Sequence, residues 1–262
     1  MKQRCLIYQL GLVPYEQAWD LQNRLAAEIA SGTQPTTLLL LEHPHTYTFG
    51  RSGHSENLLW DETELVRRSI HLHGVDRGGD ITYHGPGQLV GYPLLHLGTA
   101  GLRIDPQNGS GRLPQADYVG YLRKLEKVLI NALAQLGVAS GQVPGLTGVW
   151  LQPEVSSPCA DPPPDLRKPV AKIAAIGVKV DVKGVSRHGF ALNVNPDMSY
   201  WDGIIGCGLK DNPMTSLAEV LQPVPTMQQV SEAVIEAFGE IFEFEMVIAE
   251  EHRFLHLLKV YV

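Results

Sequence analysis

Two side chains in this sequence could carry nucleophilic chemistry together, Cys207 and Lys172. Cys207 stands in Ile204-Ile205-Gly206-Cys207-Gly208-Leu209, where glycine on both sides bares the thiol and lets another group approach its sulfur. The thiolate is the reactive form. An ordinary cysteine is only a few per cent ionised at neutral pH, so a neighbouring cation would have to favour the charged state. Lys172 is the candidate: it lies between Ala171 and Ile173 in the apolar run VAKIAAIGVKVDV, residues 170–182, where an ammonium is costly to bury without a partner. Each residue also has a plainer reading, a strand-end lysine reaching back to solvent and a small buried thiol. Cys5, in an apolar strand, reads as core. Cys159, in a proline-rich stretch, lacks positioned partners.

A second stretch has the composition of a binding loop. Residues 77–93, RGGDITYHGPGQLVGYP, hold five glycines and two prolines with Thr82, His84 and Gln88 among them. Gly78-Gly79 and Gly85-Pro86-Gly87 read as tight turns, and residues 81–83 and 89–92 as short strands. So few side chains to pack make a role in stability a poor explanation, although a glycine-rich hairpin without a ligand remains the alternative. No glycine turn here opens a long helix, so the dinucleotide fingerprint fails. His43 with His45, and His71 with His73, invite a metal reading. With no third ligand nearby, surface or edge-strand histidines explain them better, and no metal site is expected.

The elements that must position these residues are legible in part. Residues 5–10 and 37–41 read as strands, the second buried and central. Residues 15–30 place Ala18, Leu21, Leu25 and Ile29 on one helical face and stop at Gly32. Asp61-Glu62-Thr63-Glu64 resembles a capping box opening a short helix, and residues 70–75 a strand feeding the glycine-rich block. The clearest helix is 117–136, with Val119, Leu122, Leu125, Leu129, Ala132, Leu133 and Leu136 as one stripe between Asp117 and Gly137. Residues 98–114 read as a long loop and 153–169, with six prolines, as an exposed insertion. Thr226 to Gln229 caps a further helix, and residues 242–248 alternate as an edge strand.

The chain has 262 residues and a net charge of −7, which suits one domain with a real core and argues against a general nucleic-acid or membrane-surface binder. Local basic patches remain open, at Arg67, Arg68 and Arg77 or at Lys179, Lys183 and Arg187. Three widely spaced cysteines make no disulfide framework. No apolar run approaches the ~20 residues that cross a bilayer, and no signal-peptide core follows Lys2 and Arg4, so a reducing cytoplasm is expected.

Several blocks together resemble the octanoyltransferases of lipoate biosynthesis: Arg77-Gly78-Gly79, His84, Pro86-Gly87-Gln88 and Tyr92-Pro93; Glu42-His43-Pro44 through Gly50-Arg51; Lys172 with Gly177; residues 187–193, RHGFALN; and Cys207-Gly208. They span about Glu42 to Leu217. Gly206 departs from the pattern, since a proline usually precedes the cysteine. The resemblance implies an α+β fold of the biotin/lipoate–protein ligase type, related to class II synthetases, with a mixed sheet and helices packed against it. It implies a two-step acyl transfer in which Cys207 takes octanoyl from acyl carrier protein and passes it to a lysine of an apo lipoyl domain, in 2-oxoacid dehydrogenase complexes or the glycine cleavage H protein. Lys172 would lower the thiol's pKa and shuttle protons. Substrate would lie against Arg77, Gly78, Gly79, Asp80, Ile81, Thr82, Tyr83 and His84, against Ala175, Ile176 and Gly177, and against Gly189, Phe190 and Ala191. Backbone N–H groups near Gly78-Gly79 could hold the oxyanion. Neither ATP, cofactor nor metal is required. Competing readings are an ATP-dependent lipoate or biotin ligase, which needs no Lys172/Cys207 pair, a non-catalytic binding module on the same fold, and a lone cysteine hydrolase.

Overall fold

The computed structural model describes residues 2–98, 100, 102, 117–151, 170–208 and 213–249; of Cys207 it describes the backbone. The expected insertion 153–169 with Cys159, and all but residues 98, 100 and 102 of the expected loop 98–114, lie outside the described residues.

The chain opens with strand β1 (Gln3–Leu12), helix α1 (Tyr15–Ser31) and strand β2 (Thr36–Glu42). A small unit follows: β3 (Thr46–Phe49), α2 (Glu62–Arg67), β4 (His71–Gly74) and β5 (Ile81–His84). Then come β6 (Gln88–Leu94), α3 (Tyr118–Gln135), β7 (Ser140–Val143), β8 (Leu146–Leu151), β9 (Ala171–Val180) and β10 (Ser186–Asn193). The described chain ends with α4 (Leu217–Val220), α5 (Met227–Phe242) and β11 (Phe244–Ile248). Eight strands form one mixed sheet in the order β11-β1-β2-β6-β10-β9-β8-β7, parallel at the β11-β1-β2 end and antiparallel elsewhere; β4-β3-β5 form a second, three-stranded sheet. The fold is therefore α+β with a mixed sheet.

Helices α3 and α5 pack on one face of the large sheet, burying Leu125, Leu129, Leu133, Val234 and Phe238 against Ile7, Leu38 and Leu192. Helix α1 covers part of the other face, with Leu21 and Leu25 against Leu39, Val90 and Ala191. The α3 stripe begins later than expected: Val119, in its first turn, is 66% exposed, and Tyr121 is the first buried residue. The last strand also begins later, because Phe242 still belongs to α5 and Glu243 turns the chain in the left-handed region at φ 60°. The caps are as expected: Asp61 accepts from the Glu64 N–H, Thr226 and Gln229 bond reciprocally, and Gly32 ends α1 at φ 77°. Among the described residues no helix is long and apolar enough to cross a membrane.

Candidate active site

A cleft opens where the small sheet leans over the uncovered part of the large one. Backbone bonds fasten the glycine-rich loop on both sides. Gly78 N–H donates to Val178 O of β9 at 3.0 Å, while Arg51 and Ser52 N–H donate to Arg77 O and Gly79 O at 3.0 and 3.1 Å. One wall is Arg77, Gly78, Gly79, Asp80, Thr82 and His84; the other is Ala175, Ile176 and Gly177 of β9 with Gly189, Phe190 and Ala191 of β10. In the β9–β10 register Gly177 faces Gly189 and Ala175 faces Ala191. That wall therefore carries almost no side chains, and an extended ligand can lie along bare backbone. The space is about 480 Å³ counting its mouth, within the range of small-molecule sites.

Ile81 and Tyr83 do not line this cleft. Side chains alternate along a strand, so β5 turns Thr82 and His84 inward and sends Ile81 and Tyr83 into a separate core with Tyr47, Trp201 and Ile204. Conversely, Tyr15, Tyr92 and His188 line the cleft without having been singled out. Tyr92 and His188 sat inside the motif blocks, whereas Tyr15 is simply the first residue of a helix and carried no signal. Gly78 cannot serve as an oxyanion donor either, since its N–H is committed to Val178.

Below the cleft the polar groups are interlocked. His188 Nε2 lies 2.7 Å from Asp76 Oδ1, and its Nδ1 lies 3.4 Å from the Tyr15 hydroxyl. The His188 hydrogen bond, with Arg187 beside it, holds the Asp76 carboxyl well below the usual carboxylate range. His43 is no surface residue: it is fully buried between Val13 O and the Tyr92 hydroxyl, both at 2.7 Å, and burial pushes its pKa down to about 4. Burial likewise keeps His84 neutral.

The tautomer of His84 follows from its neighbours. Asn193 Nδ2 donates to Thr215 O at 2.9 Å, so Asn193 Oδ1 accepts from Gln88 Nε2 at 2.9 Å. Gln88 Oε1 must then accept from His84 Nδ1–H at 2.8 Å, leaving Nε2 as the imidazole's acceptor. The same chain of bonds reaches the backbone of Lys172, because Thr215 N–H donates to Lys172 O and Lys172 N–H to Pro213 O, at 2.9 and 2.8 Å. Residues 213–215 thus run alongside Lys172.

Lys172 is 3% exposed, with its ammonium 4.8 Å from the centre of the Trp150 ring. A cation over a desolvated indole is stabilised by roughly 2 kcal/mol, which offsets part of the cost of burial. Cys207 lies in a single 3-10 turn, Gly206–Gly208, closed by Gly208 N–H on Ile205 O at 3.0 Å. The turn is pinned at the rim: Ile205 N–H donates to Asn57 O at 2.8 Å, and a Cβ added to Gly208 would stand 3.1 Å from Asp80 Oδ2. The departure at 206 has a local reason, since a Cβ there would press on the Trp201 ring at 3.0 Å. Cys5 is unavailable for chemistry, because burial pushes its thiol up to about 12. Arg67 and Arg68 do not form a free basic patch: both guanidinium groups are held by the Glu64 carboxylate, at 2.5 and 2.6 Å.

The sequence matches the lipoyl protein ligase A/B catalytic domain family over residues 14–239. It is 41% identical over 239 residues to the octanoyltransferase of Chloroflexus aurantiacus, covering 91% of this chain and 94% of that one. It is 42% identical over 242 residues to the octanoyltransferase of Solibacter usitatus, covering 92% and 94%. In shape it is similar to the crystal structure of lipoate-protein ligase A bound with ATP, with a TM-score of 0.67 at 15% identity and coverage of 99% and 93%. It is also similar to a chain of the archaeal lipoylation system of Thermoplasma acidophilum, a bi-partite lipoate protein ligase and its E2 lipoyl domain, with a TM-score of 0.65 at 16% identity and coverage of 99% and 91%. At such identities these two structures speak for the fold alone. The matched family residues and the two octanoyltransferases reach across the cleft, its glycine-rich loop and the strand of Lys172, and the chain accordingly belongs to the lipoyl protein ligase A/B catalytic family and, within it, to the octanoyltransferases.

Proposed function

We propose that this chain moves an octanoyl group from octanoyl–acyl carrier protein to a specific lysine of an apo lipoyl domain, through a thioester on Cys207. In the first step the Cys207 thiolate attacks the donor thioester; a new C–S bond forms, the carrier's C–S bond breaks, and the carrier thiol leaves with a proton. In the second the lipoyl-domain amine attacks; the amide C–N bond forms, the enzyme C–S bond breaks, and the amine's proton returns to the site. Lys172 is the group that gives and takes these protons and holds the thiolate by its charge. Thioester to amide runs downhill, so the cycle needs no ATP.

The observation that supports this reading is that the turn of Cys207 is pinned at the rim of the cleft beside Asp80, while Pro213 and Thr215, further along the chain, are hydrogen-bonded to the backbone of Lys172. The bare wall of Gly177, Gly189, Ala175 and Ala191 suits an unbranched acyl chain. The lipoyl domains in question would be those of 2-oxoacid dehydrogenase complexes and the glycine cleavage H protein. Intact-mass analysis after mixing with octanoyl–carrier protein, without ATP, tests the reading. A gain of one octanoyl group is expected, released by hydroxylamine and absent in Cys207→Ser. A chain that gains no mass until ATP and free acid are added would be a ligase instead.

A further inference from the structure

We infer that Trp150 is a positioning residue for Lys172, holding its ammonium in one place against the face of the indole ring. The inference rests on the reading of Lys172 as the partner of Cys207 and names a residue outside that pair. Its basis is the strand register. β8 and β9 pair antiparallel, with Val149 opposite Ala174 but Trp150 opposite Lys172, so Ile173 is an extra residue. Such a bulge re-aims the side chains beside it. It makes Trp150 and Lys172 direct cross-strand partners, with Nζ 4.8 Å from the ring centre.

The room for the lysine is built as well. Gly148 sits at φ +122°, a conformation that side chains avoid, and a Cβ there would be 2.9 Å from Lys172 Cε and 2.6 Å from Ala174 O. Gly148 is held from the helix layer by the buried Glu126, whose carboxylate accepts from Gly148 N–H at 3.1 Å, from Gln142 at 2.7 Å and from Arg123 at 2.6 Å. On the opposite side the lysine's strand meets Met214 and Thr215, and Thr215 Oγ1 donates to Glu219 at 2.9 Å. Hydrogen bonding does not explain why a tryptophan stands at 150. Its indole N–H is buried and has no partner among the described residues. What the indole supplies is its face, which attracts and so positions an ammonium.

The test compares Trp150→Phe, which keeps an aromatic face, with Trp150→Leu, which does not, and with Lys172→Met. Octanoyl transfer is followed by kcat and by KM for the lipoyl domain, and thiol reactivity by the rate at which iodoacetamide labels Cys207, read by peptide mass. Trp150→Leu is expected to lower kcat and the labelling rate together by about tenfold or more, with KM unchanged, and Trp150→Phe to stay within a few-fold of the parent. Equal losses in Phe and Leu, or a Leu variant as fast as the parent, overturn the inference. If Lys172→Met is inactive while Trp150→Leu is not, only the inference falls; if Lys172→Met is fully active, the catalytic reading falls with it. Should the leucine variant not fold, the unaltered chain labelled with ¹³C-lysine decides. One lysine ε-CH₂ resonance should be shifted upfield by the ring and vanish in Lys172→Arg, and a spectrum without it overturns the inference.

Discussion

The carboxylate of Asp80 has three donors around it: His54 N–H at 2.9 Å, Ile81 N–H at 2.7 Å and the Asn57 side-chain amide. Asn57 in turn accepts from Ile205, two residues before Cys207. Although Asp80 borders the cleft, this pattern makes it a clamp on the turn of Cys207, the proposed nucleophile, more than a contact for a ligand in the cleft. Asp80→Ala is expected to cost about 1–2 kcal/mol of stability, since donors lose a partly exposed charged acceptor. It should slow octanoyl loading by a further ~10–100-fold, the penalty for a misplaced reacting group. Rapid-quench loading beside a urea melt measures both, and an unchanged loading rate in a destabilised variant would show that the clamp does not matter. Most residues of the candidate site were legible as a block. Which of them face the cleft was not, because that depends on strand phase: Ile81 and Tyr83 share the motif with Thr82 and His84 yet lie on the other side of β5. Trp150 could not be read at all, since its meeting with Lys172 depends on a bulge that no local pattern announces.

At the scale of elements, periodicity and caps did most of the work. The stripe of α3, the box at Thr226 and Gln229 and the leucine run of β2 were each visible because one local rule dictates them. The order of the sheet was not visible in the same way, since β6 and β10 meet across about a hundred residues of chain, and only the family resemblance supplied the architecture. That pairing has a strict steric condition. Gly189 of β10 lies against β6 so closely that a Cβ would overlap Gly91 O and stand 2.6 Å from Pro93 Cδ. The obstructing atoms are strand backbone and a proline ring, neither of which can swing aside. Gly189→Ala is therefore expected to destabilise the protein by about 1–3 kcal/mol and to lower octanoyl loading as well, because the displaced strand forms a wall of the cleft. Gly184→Ala, at the β9–β10 turn, is the control: it is strained by its φ of +82° but has only His96 nearby, at 3.4 Å. Equal activity losses in the two variants would mean that the close approach of β10 to β6 is not what shapes the wall.

Across the described residues, several histidines have their charged form disfavoured. His43, His45, His73, His84 and His188 all have pKa values lowered by burial, which opposes the charged form more than their neighbours favour it: Val13 O for His43, Gln88 for His84, and the carboxylates of Asp197, Glu16 and Asp76 for His45, His73 and His188. In the unfolded chain each would titrate near ~6.5. A base whose folded pKa is depressed contributes stability that is complete above the unfolded value and is lost as pH falls towards the folded one. For His43 that window runs from ~6.5 down to about 4. Depressed carboxylates add to the loss only lower down: Glu64, held at about 2 by Arg67 and Arg68, and Asp76 begin to matter below ~5, where unfolded carboxyls start to take up protons. Stability should therefore be level from pH 8 to ~6.5 and then decline, by up to ~1.4 kcal/mol per pH unit for each proton the unfolded chain binds in excess. Urea midpoints at pH 7.5, 6.5, 5.5 and 4.5 measure the slope. His43→Gln, which can still bond to Val13 O and Tyr92 but cannot titrate, should be less stable at pH 7.5 and yet show a slope shallower by about one proton. A midpoint that stays constant down to pH 5 would mean that these imidazoles meet water, or accept a proton in place, without opening the fold.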